Sequence, residues 1–486
     1  MAGTGRGWLI VSIVSTSSFG AGALWSTLAA VLSKSASFIA QIILGWLLLP
    51  EEFGVYALAL SFSAFFAGLR NGGSDQYLTQ KGPEFSRHAG EVLVYSSGFN
   101  LLALAGLMCA GVVAQSVYQK PILFWMLMLI GLGWLIAGPA TIMRLSLSAG
   151  RLYKALTLAT TCSDLARQGS SILFALVGMG AVSLALPIIL EPMVLALVVF
   201  ALVRVWPKTA PFCQNTAKRL FRACRWNMLS NFAVALSLSG IYLVVSGLAD
   251  LAEVGLFYFA MQLIVAATVP ITNTINNIYF PHVSAHRDAA LAERYAVSGL
   301  NAALVIGFFL SVLLVLSIEP LVFAVWGKRW QAAIPAAEYL GFSAASLIFN
   351  TLVYSLYAAR AHWAQRCAVI FVGALVDMVA LAIGLLVQDL QTGAVALVLG
   401  KIVYSAGLVW LTARWFPAHY RTPYLRSSFA LLTLLTGLGG LDLLLAHHGT
   451  AHQAFRLLLL ICLVVAAFWM FKLYRSMKEP SGEKSA

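Results

Sequence analysis

The chain has 486 residues, of which 60 per cent are hydrophobic and only 10 per cent are charged. A soluble protein of this length carries roughly a quarter of its residues as charged side chains, so this composition excludes an ordinary soluble protein. The net charge of +13 does not indicate nucleic acid, because membrane proteins concentrate Lys and Arg on one side of the bilayer. We therefore predict an all-α polytopic membrane protein with no nucleic-acid partner.

Residues 1–24 form the first predicted element, a cytoplasmic or interfacial lead-in to the first membrane helix. The stretch GRGWLIVSIVSTSSFGAGA has a basic start, a short apolar core and small residues after it, so a signal peptide is the alternative interpretation. The apolar core is shorter than a crossing needs, and counting it as one would place every basic loop outside the cell. We therefore favour the interfacial segment.

Fourteen mainly apolar stretches follow, each close to the length of about 20 residues that a helix needs to cross the hydrocarbon core. The predicted spans are residues 25–49, 55–78, 92–116, 121–146, 153–177, 182–205, 226–248, 254–279, 295–318, 333–357, 363–387, 393–415, 424–446 and 454–474. With these spans, 23 of the 31 lysines and arginines lie in connections on one side and only four lie on the other. A missed helix would scramble that asymmetry, so we predict fourteen spans with both termini in the cytoplasm.

The turn after the first span, LPEEFGVYAL, has a counterpart in LAEVGLFYFA at residues 251–260. Pro50 disfavours a continued helix, and Glu51 and Glu52 favour the positive end of the next helix dipole, so the stretch predicts a hairpin turn. A shift of 201 residues places identical residues on each other: Trp25 on Trp226, Glu52 on Glu253 and Gly54 on Gly255. This match indicates an internal repeat of six helices, a feature typical of transporters.

An even number of helices in each copy gives both copies the same orientation, with a pseudo-two-fold axis along the membrane normal. We therefore predict two six-helix lobes around a central cavity, followed by two further helices. The predicted boundaries are residues 25–205 for the first lobe, 206–225 for a basic cytoplasmic linker, 226–416 for the second lobe, 417–475 for the last two helices and 476–486 for a cytoplasmic tail.

The segment LWSTLAAVLSKSASFIAQIILGWLLLPEEFGVYALA and the fourteen spans resemble the polysaccharide transporter branch of the multidrug/oligosaccharidyl-lipid/polysaccharide (MOP) exporter superfamily. The resemblance covers nearly the whole chain from Trp25. It implies a flippase that moves a polyprenyl-diphosphate-linked oligosaccharide, a precursor of lipopolysaccharide or exopolysaccharide, across a bacterial cytoplasmic (inner) membrane by alternating access. The implied partners are that lipid-linked substrate, membrane lipids and other polysaccharide assembly proteins.

Four basic residues lie inside predicted spans and away from the span ends, where each charge would cost about 2.5–3.5 kcal/mol if it faced lipid. We expect these cations to face protein or water, because a cationic cavity suits a diphosphate and polar side chains suit sugars. The predicted substrate-binding residues are Lys34, Arg70, Arg167, Lys401, Gln41, Asn71 and Gln76.

Three of the four cations also have a nearby acid that would give them a structural role. The candidate pairs are Arg167 with Asp164, Arg70 with Asp75, and Lys401 with Asp377. Lys34 has no acid on its own helix, so we expect Lys34 to contact the diphosphate directly. The acids inside the spans are also candidates for ion coupling: Asp75, Asp164, Glu191 and Asp377.

Two stretches predict local bends that would suit a gate. Paired glycines weaken the second span, and a proline followed by a polar stripe marks the cytoplasmic end of the eighth. The candidate gate residues are Gly72, Gly73, Pro270, Asn273, Asn276 and Asn277. A polar stripe also binds neighbouring helices, so both interpretations of the asparagines stay open.

The sequence carries no motif of a hydrolase or a P-loop enzyme, and its six cysteines lack metal-ligand spacing. We therefore expect no enzymatic activity, no catalytic residues, no metal and no cofactor. A cation-coupled multidrug exporter of the same superfamily is the first alternative, although such exporters usually have fewer spans and an acidic cavity. A membrane-embedded glycosyltransferase or polymerase is the second, but the longest predicted outer connection, residues 319–331, is short for a catalytic domain.

Overall fold

The chain folds almost entirely into helices. The computed structural model describes residues 19–81, 84–150, 152–204, 209–211, 213–274, 289–360, 362–387 and 389–445. Within these ranges there is no strand, and nine helices are long and apolar enough to cross a membrane. The all-α class is therefore confirmed, while the count of fourteen spans stays a prediction.

Packing divides the chain into two units, Met1–Ser246 with Asp250–Gly255, and Gly247–Ala249 with Leu256–Ala486. The helices of the first unit are α1 (Phe19–Leu47), α2 (Pro50–Ala64), α3 (Ser74–Lys81), α4 (Phe85–Tyr118), α5 (Ile122–Ala149), α6 (Tyr153–Leu176), α7 (Val182–Ala185), α8 (Pro187–Val203) and nearly all of α9 (Gln214–Leu248). The next helix, α10 (Leu251–Thr274), begins in the first unit and continues from Leu256 in the second. The helices beyond it are α11 (Ala289–Trp326), α12 (Ile334–Gly341), α13 (Ala344–Ala359), α14 (Trp363–Val387), α15 (Leu390–Ala413) and α16 (Ala418–Leu445).

Two apolar clusters hold the first unit together. One joins α3, α4 and α9 through side chains such as Leu78, Val92 and Leu220. The other joins α5 and α8 through Met143 and Val199. Lipid tails are as apolar as these side chains, so the clusters stabilise the unit by close packing rather than by leaving water. Most of α9 thus packs in the first unit, although the predicted second lobe begins at residue 226; the lobe boundaries stay a prediction.

The predicted turn between α1 and α2 is confirmed. α2 begins at Pro50, and the Leu49 N–H donates to Oε2 of Glu52 at 2.7 Å. A first-turn glutamate that reaches back to the preceding N–H fixes the start of a helix. Glu51 accepts from Nζ of Lys120 at 2.8 Å, which ties this turn to the connection between α4 and α5.

The two matching turns meet in the first unit. A Cβ added to Gly54 would lie 1.9 Å from the carbonyl oxygen of Leu251, and a Cβ added to Gly255 would lie 1.7 Å from that of Pro50. Only glycine permits two backbones to approach this closely. Pro50 and Leu251 are themselves 201 residues apart, so the contact is reciprocal under the predicted repeat. The repeat of the whole lobes stays a prediction.

The second predicted span is broken where the paired glycines predict a bend. α2 ends at Ala64, and a 3₁₀ turn (Arg70–Gly73) precedes α3. Within that turn Asn71, Gly72 and Gly73 have φ angles of 53°, 55° and 65°. This left-handed region strains most side chains and favours glycine, and asparagine tolerates it better than most. The bend is therefore confirmed, and its action as a gate stays a prediction.

Asn100 of α4 holds this break in place. Its Oδ1 accepts from the Asn71 N–H at 2.7 Å, and its Nδ2 donates to Oδ1 of Asn71 at 3.0 Å. The same Nδ2 donates to the carbonyl oxygen of Trp134 on α5 at 2.9 Å. Asn100 is fully buried, so its amide substitutes for the backbone hydrogen bonds that the interrupted helix cannot make.

We expect Asn100→Ala to destabilise the protein, because it leaves the buried Asn71 N–H without its acceptor. An unpaired buried polar group costs about 1–3 kcal/mol, so the thermal midpoint of the purified protein should fall by several degrees. Differential scanning fluorimetry in detergent measures that midpoint. Gly98→Ala, two residues away where an added Cβ meets nothing within 4 Å, is the matched control. Equal midpoints for both variants would contradict this role of Asn100.

Several boundaries differ from the predicted ones. α9 begins at Gln214, inside the predicted linker, because Leu220 and Cys224 give the basic stretch a buried face. α11 continues through Pro320 to Trp326, since the residues after the proline remain apolar, and it stops before Gly327. The predicted connection 319–331 is therefore largely helical, and the next predicted span is divided between α12 and α13.

Other predicted features lie outside the described residues. They are residues 1–18 of the lead-in, Asn276 and Asn277 of the polar stripe, the predicted span 454–474 and the tail 476–486.

Candidate functional site: a charged cavity

A cavity of about 800 Å³ lies among α2, α5, α6, α8 and α9 of the first unit. Small residues such as Ala64, Gly133 and Ala137 make room for it, because they keep side chains out of the space between the helices. Ser63 and Asn231 add polar groups to its wall. Three arginines and three carboxylates also line the cavity: Arg70, Arg144, Arg167, Asp75, Asp164 and Glu191.

Arg167 of α6 is held by an acid from another helix. Its Nη1 donates to Oε2 of Glu191 on α8 at 2.9 Å, and both side chains are partly exposed to the cavity. Asp164, the candidate partner on its own helix, accepts from the hydroxyl of Ser33 on α1. Because both side chains are partly exposed, the Arg167–Glu191 pair contributes little to stability, and its main effect is to orient the two groups.

Arg70 and Arg144 both lie near Asp75, and Arg70 also interacts electrostatically with Glu191. Asp75 interacts electrostatically with both arginines and accepts from Nδ2 of Asn71 at 3.2 Å. Neither arginine forms an ion pair with any described residue, although both line the cavity. Arg70 is exposed and Arg144 is half-buried. Both guanidinium groups therefore have hydrogen-bond donors available for a ligand.

Of the six charged residues of the cavity, Arg144 is the one that sequence reasoning missed. The predicted span 121–146 ends two residues after Arg144, and the charge count therefore grouped Arg144 with the next cytoplasmic connection. Arg144 instead lies inside α5, on the face of Ala137, Ala140 and Thr141. The spacing of three and four residues is the signal that places these side chains on one helical face.

The remaining predicted ligands of the first unit lie away from the cavity wall. Lys34 is exposed on α1 and Gln76 is exposed on α3. Gln41 has a buried Nε2 with no partner among the described residues. Asn71 is buried and bonded to Asn100 and Asp75, which gives it a structural role at the break. Substrate contacts of these four residues stay predictions.

In the second unit, Lys401 and Asp377 form a buried pair. Nζ of Lys401 donates to Oδ2 of Asp377 at 2.5 Å, and both side chains are at most 7 per cent exposed. The predicted pairing is therefore confirmed. Removing either partner would leave an uncompensated buried charge, so the pair has a structural role. Its predicted contacts with a substrate or a coupling ion stay predictions.

Two predicted gate residues of α10 are described. Pro270 lies inside the helix, and Asn273 is exposed near its end. Their part in a gate stays a prediction.

The comparisons with known proteins agree on the architecture. Residues 43–335 match the family described as polysaccharide biosynthesis protein. The solved structure of the lipid II flippase MurJ in an inward closed conformation has a TM-score of 0.68 at 13 per cent identity, covering 93 per cent of this chain and 99 per cent of that one. An inward-facing multidrug resistance MATE family transporter of the MOP superfamily has a TM-score of 0.59 at 15 per cent identity, covering 80 per cent and 98 per cent. At these identities the likeness shows the fold alone, and no curated protein matches the sequence.

Proposed function

Because this chain belongs to the polysaccharide biosynthesis protein family and has the fold of MOP-type membrane transporters, we propose that it flips a polyprenyl-diphosphate-linked oligosaccharide. The substrate would be a precursor of a cell-surface polysaccharide such as lipopolysaccharide or exopolysaccharide. The movement would be from the cytoplasmic to the outer leaflet of a bacterial inner membrane, by alternating access.

The observation that carries this proposal is the pair of cations, Arg70 and Arg144, on the wall of the charged cavity. A diphosphate must have its negative charge compensated before it can pass through the hydrocarbon region. Guanidinium groups suit that task, since each presents a planar fork of N–H donors to phosphate oxygens. The hydroxyl and amide groups of Ser63 and Asn231 suit the sugars, while the polyprenyl chain stays in lipid.

A cation-coupled multidrug exporter is the second candidate, because a MATE family transporter shares the fold. Asp75, Asp164 and Glu191 supply acids that such an exporter needs. Arg70 and Arg144 argue against it, since their charges face the same cavity and would repel a cationic drug. A glycosyltransferase or polymerase has no comparable support.

Deletion of the gene tests the proposal. The lipid-linked glycan should accumulate on the cytoplasmic leaflet, and the wild-type gene on a plasmid should restore export. The purified protein in liposomes should then move the isolated glycolipid between leaflets, as measured by its accessibility to an added glycosidase. Normal surface glycan in the deletion strain, with no glycolipid flipping in liposomes, would reject the proposal.

The proposed orientation can be checked with the native Cys213, which lies just before α9 in a connection proposed to be cytoplasmic. The hydroxyl of Thr216 contacts its Sγ at 3.3 Å and lowers the pKa of the exposed thiol, so Cys213 should react readily with a maleimide at neutral pH. In a chain whose other cysteines are replaced, labelling with an impermeant maleimide should require permeabilised cells.

A cysteine introduced at the exposed Asp389, proposed to lie on the other side, is the matched control. That variant should label in intact cells. If Cys213 labels in intact cells and the cysteine at position 389 labels only in permeabilised cells, the proposed orientation is wrong and the opposite one holds.

A further inference from the structure

A second cavity, of about 390 Å³, lies between α4 and α9 and shares no residue with the charged cavity. Apolar and aromatic groups form most of its wall, and Lys218 is the one charged side chain among them. We call this cavity the α4/α9 groove; its lining is Val94, Tyr95, Gly98, Phe99, Leu102, Ala217, Lys218 and Phe221. Leu102 is 56 per cent exposed and Phe221 is 47 per cent exposed, so the groove lies at the surface of the first unit.

One end of the groove is strongly basic. Arg222 follows Lys218 by one helical turn, and both side chains are exposed. Neither forms an ion pair with a described residue, whereas the adjacent Arg219 donates to Oε2 of Glu91 on α4 at 2.5 Å. The Arg219–Glu91 pair holds the beginning of α9 against α4. Lys218 and Arg222 are therefore presented beside the apolar groove with no described acid to neutralise them.

We propose that the α4/α9 groove binds an anionic glycerophospholipid of the surrounding membrane. An acyl chain would occupy the apolar wall, and the phosphate would contact Lys218 and Arg222. The occupant must be apolar along its length and negative at one end, because the wall of the groove is apolar and the basic side chains lie at one end of it. Basic residues at the membrane surface attract anionic lipids, and an exposed aromatic such as Phe221 suits the boundary between headgroups and acyl chains.

Native mass spectrometry of the full-length protein in detergent tests this proposal. Equal amounts of dioleoyl phosphatidylglycerol and dioleoyl phosphatidylcholine are added, and the bound lipid is counted. Wild-type protein should retain phosphatidylglycerol at least several-fold better than phosphatidylcholine. Lys218→Gln with Arg222→Gln should remove that preference, because the phosphate loses both cations.

Gly98 lines the groove, and an added Cβ there meets nothing within 4 Å, so a leucine at this position can begin without a backbone clash and extend into the groove. The thermal midpoint of the variant checks that the fold is kept. Gly98→Leu should lower the retained phosphatidylglycerol several-fold. Gly169→Leu on α6, where an added Cβ is equally unobstructed, is the control and should bind lipid like wild type.

Three results would overturn the proposal: equal retention of both lipids by the wild type, unchanged phosphatidylglycerol binding by Gly98→Leu, or unchanged lipid preference in the glutamine variant. With polyprenyl phosphate added to the mixture, its retention by the wild type in place of phosphatidylglycerol, and its loss in Gly98→Leu, would also overturn the proposal, because the groove would then bind the carrier of the substrate.

Discussion

Arg144→Gln should reduce glycan export by about 10–100-fold while the protein still inserts and accumulates in the membrane. The basis is the loss of about 1.5–3 kcal/mol, the usual contribution of a hydrogen bond to a charged group. Glutamine keeps a polar side chain in the cavity wall but removes the charge that we propose compensates a phosphate. Surface glycan per molecule of this protein, with the protein quantified by immunoblot, is the appropriate measurement.

Arg144 is a cleaner position for this test than Arg167. Arg144 forms no ion pair with a described residue, so its replacement does not break one. Arg167→Gln would break the pair with Glu191 and leave an acid in the cavity without its partner. Arg70→Gln should resemble Arg144→Gln, and Arg421→Gln on the exposed start of α16 should export at the wild-type rate.

Comparing the export of a Lys34 variant with that of the Arg144 variant tests where the diphosphate binds. The sequence predicts that Lys34→Ala abolishes export, since Lys34 has no acid on its own helix. The charged cavity instead has Arg70 and Arg144 on its wall, with Lys34 exposed elsewhere on α1. Loss of export in Lys34→Ala together with normal export in Arg144→Gln would reject the proposed site and favour the lysine.

Features encoded within a few neighbouring residues could be predicted from the sequence. The turn at Pro50 and the break at Gly72 and Gly73 each depend on local backbone chemistry, which a short stretch fully specifies. The pairing of Lys401 with Asp377 was also predictable, because the two residues lie on consecutive helices joined by a short connection.

Contacts between distant helices were not predictable in the same way. Helical spacing proposes Asp164 as the partner of Arg167, yet Arg167 pairs with Glu191, which lies 24 residues further along. The spacing of residues in the sequence identifies only the neighbours on the same helix. Which acid lies close enough to pair with Arg167 depends on how α6 packs against α8. Arg144 was missed for a related reason, since a charge near the end of a span looks like a loop residue until the helix is known to continue.

The reciprocal contact of Gly54 and Gly255 should make both positions intolerant of any side chain. In Gly54→Ala the new methyl group would lie 1.9 Å from the carbonyl oxygen of Leu251, and in Gly255→Ala it would lie 1.7 Å from that of Pro50. A backbone oxygen cannot rotate away as a flexible side chain can, so the two turns must separate. Overpacking of this kind costs about 1–3 kcal/mol, and if transport passes through the conformation that holds this contact, we expect each variant to lose export by about 5–150-fold.

Because the two contacts correspond under the 201-residue shift, the two alanine variants should be impaired to a similar degree. Gly169→Ala and Gly407→Ala, where an added Cβ meets nothing within 4 Å, should export like wild type. Export and thermal midpoint should be measured together, so that loss of the contact is separated from loss of the fold. Wild-type export by both Gly54→Ala and Gly255→Ala would show that transport does not need the contact. Impairment of only one variant would contradict the equivalence of the two turns, and with it the part of the repeat that this contact supports.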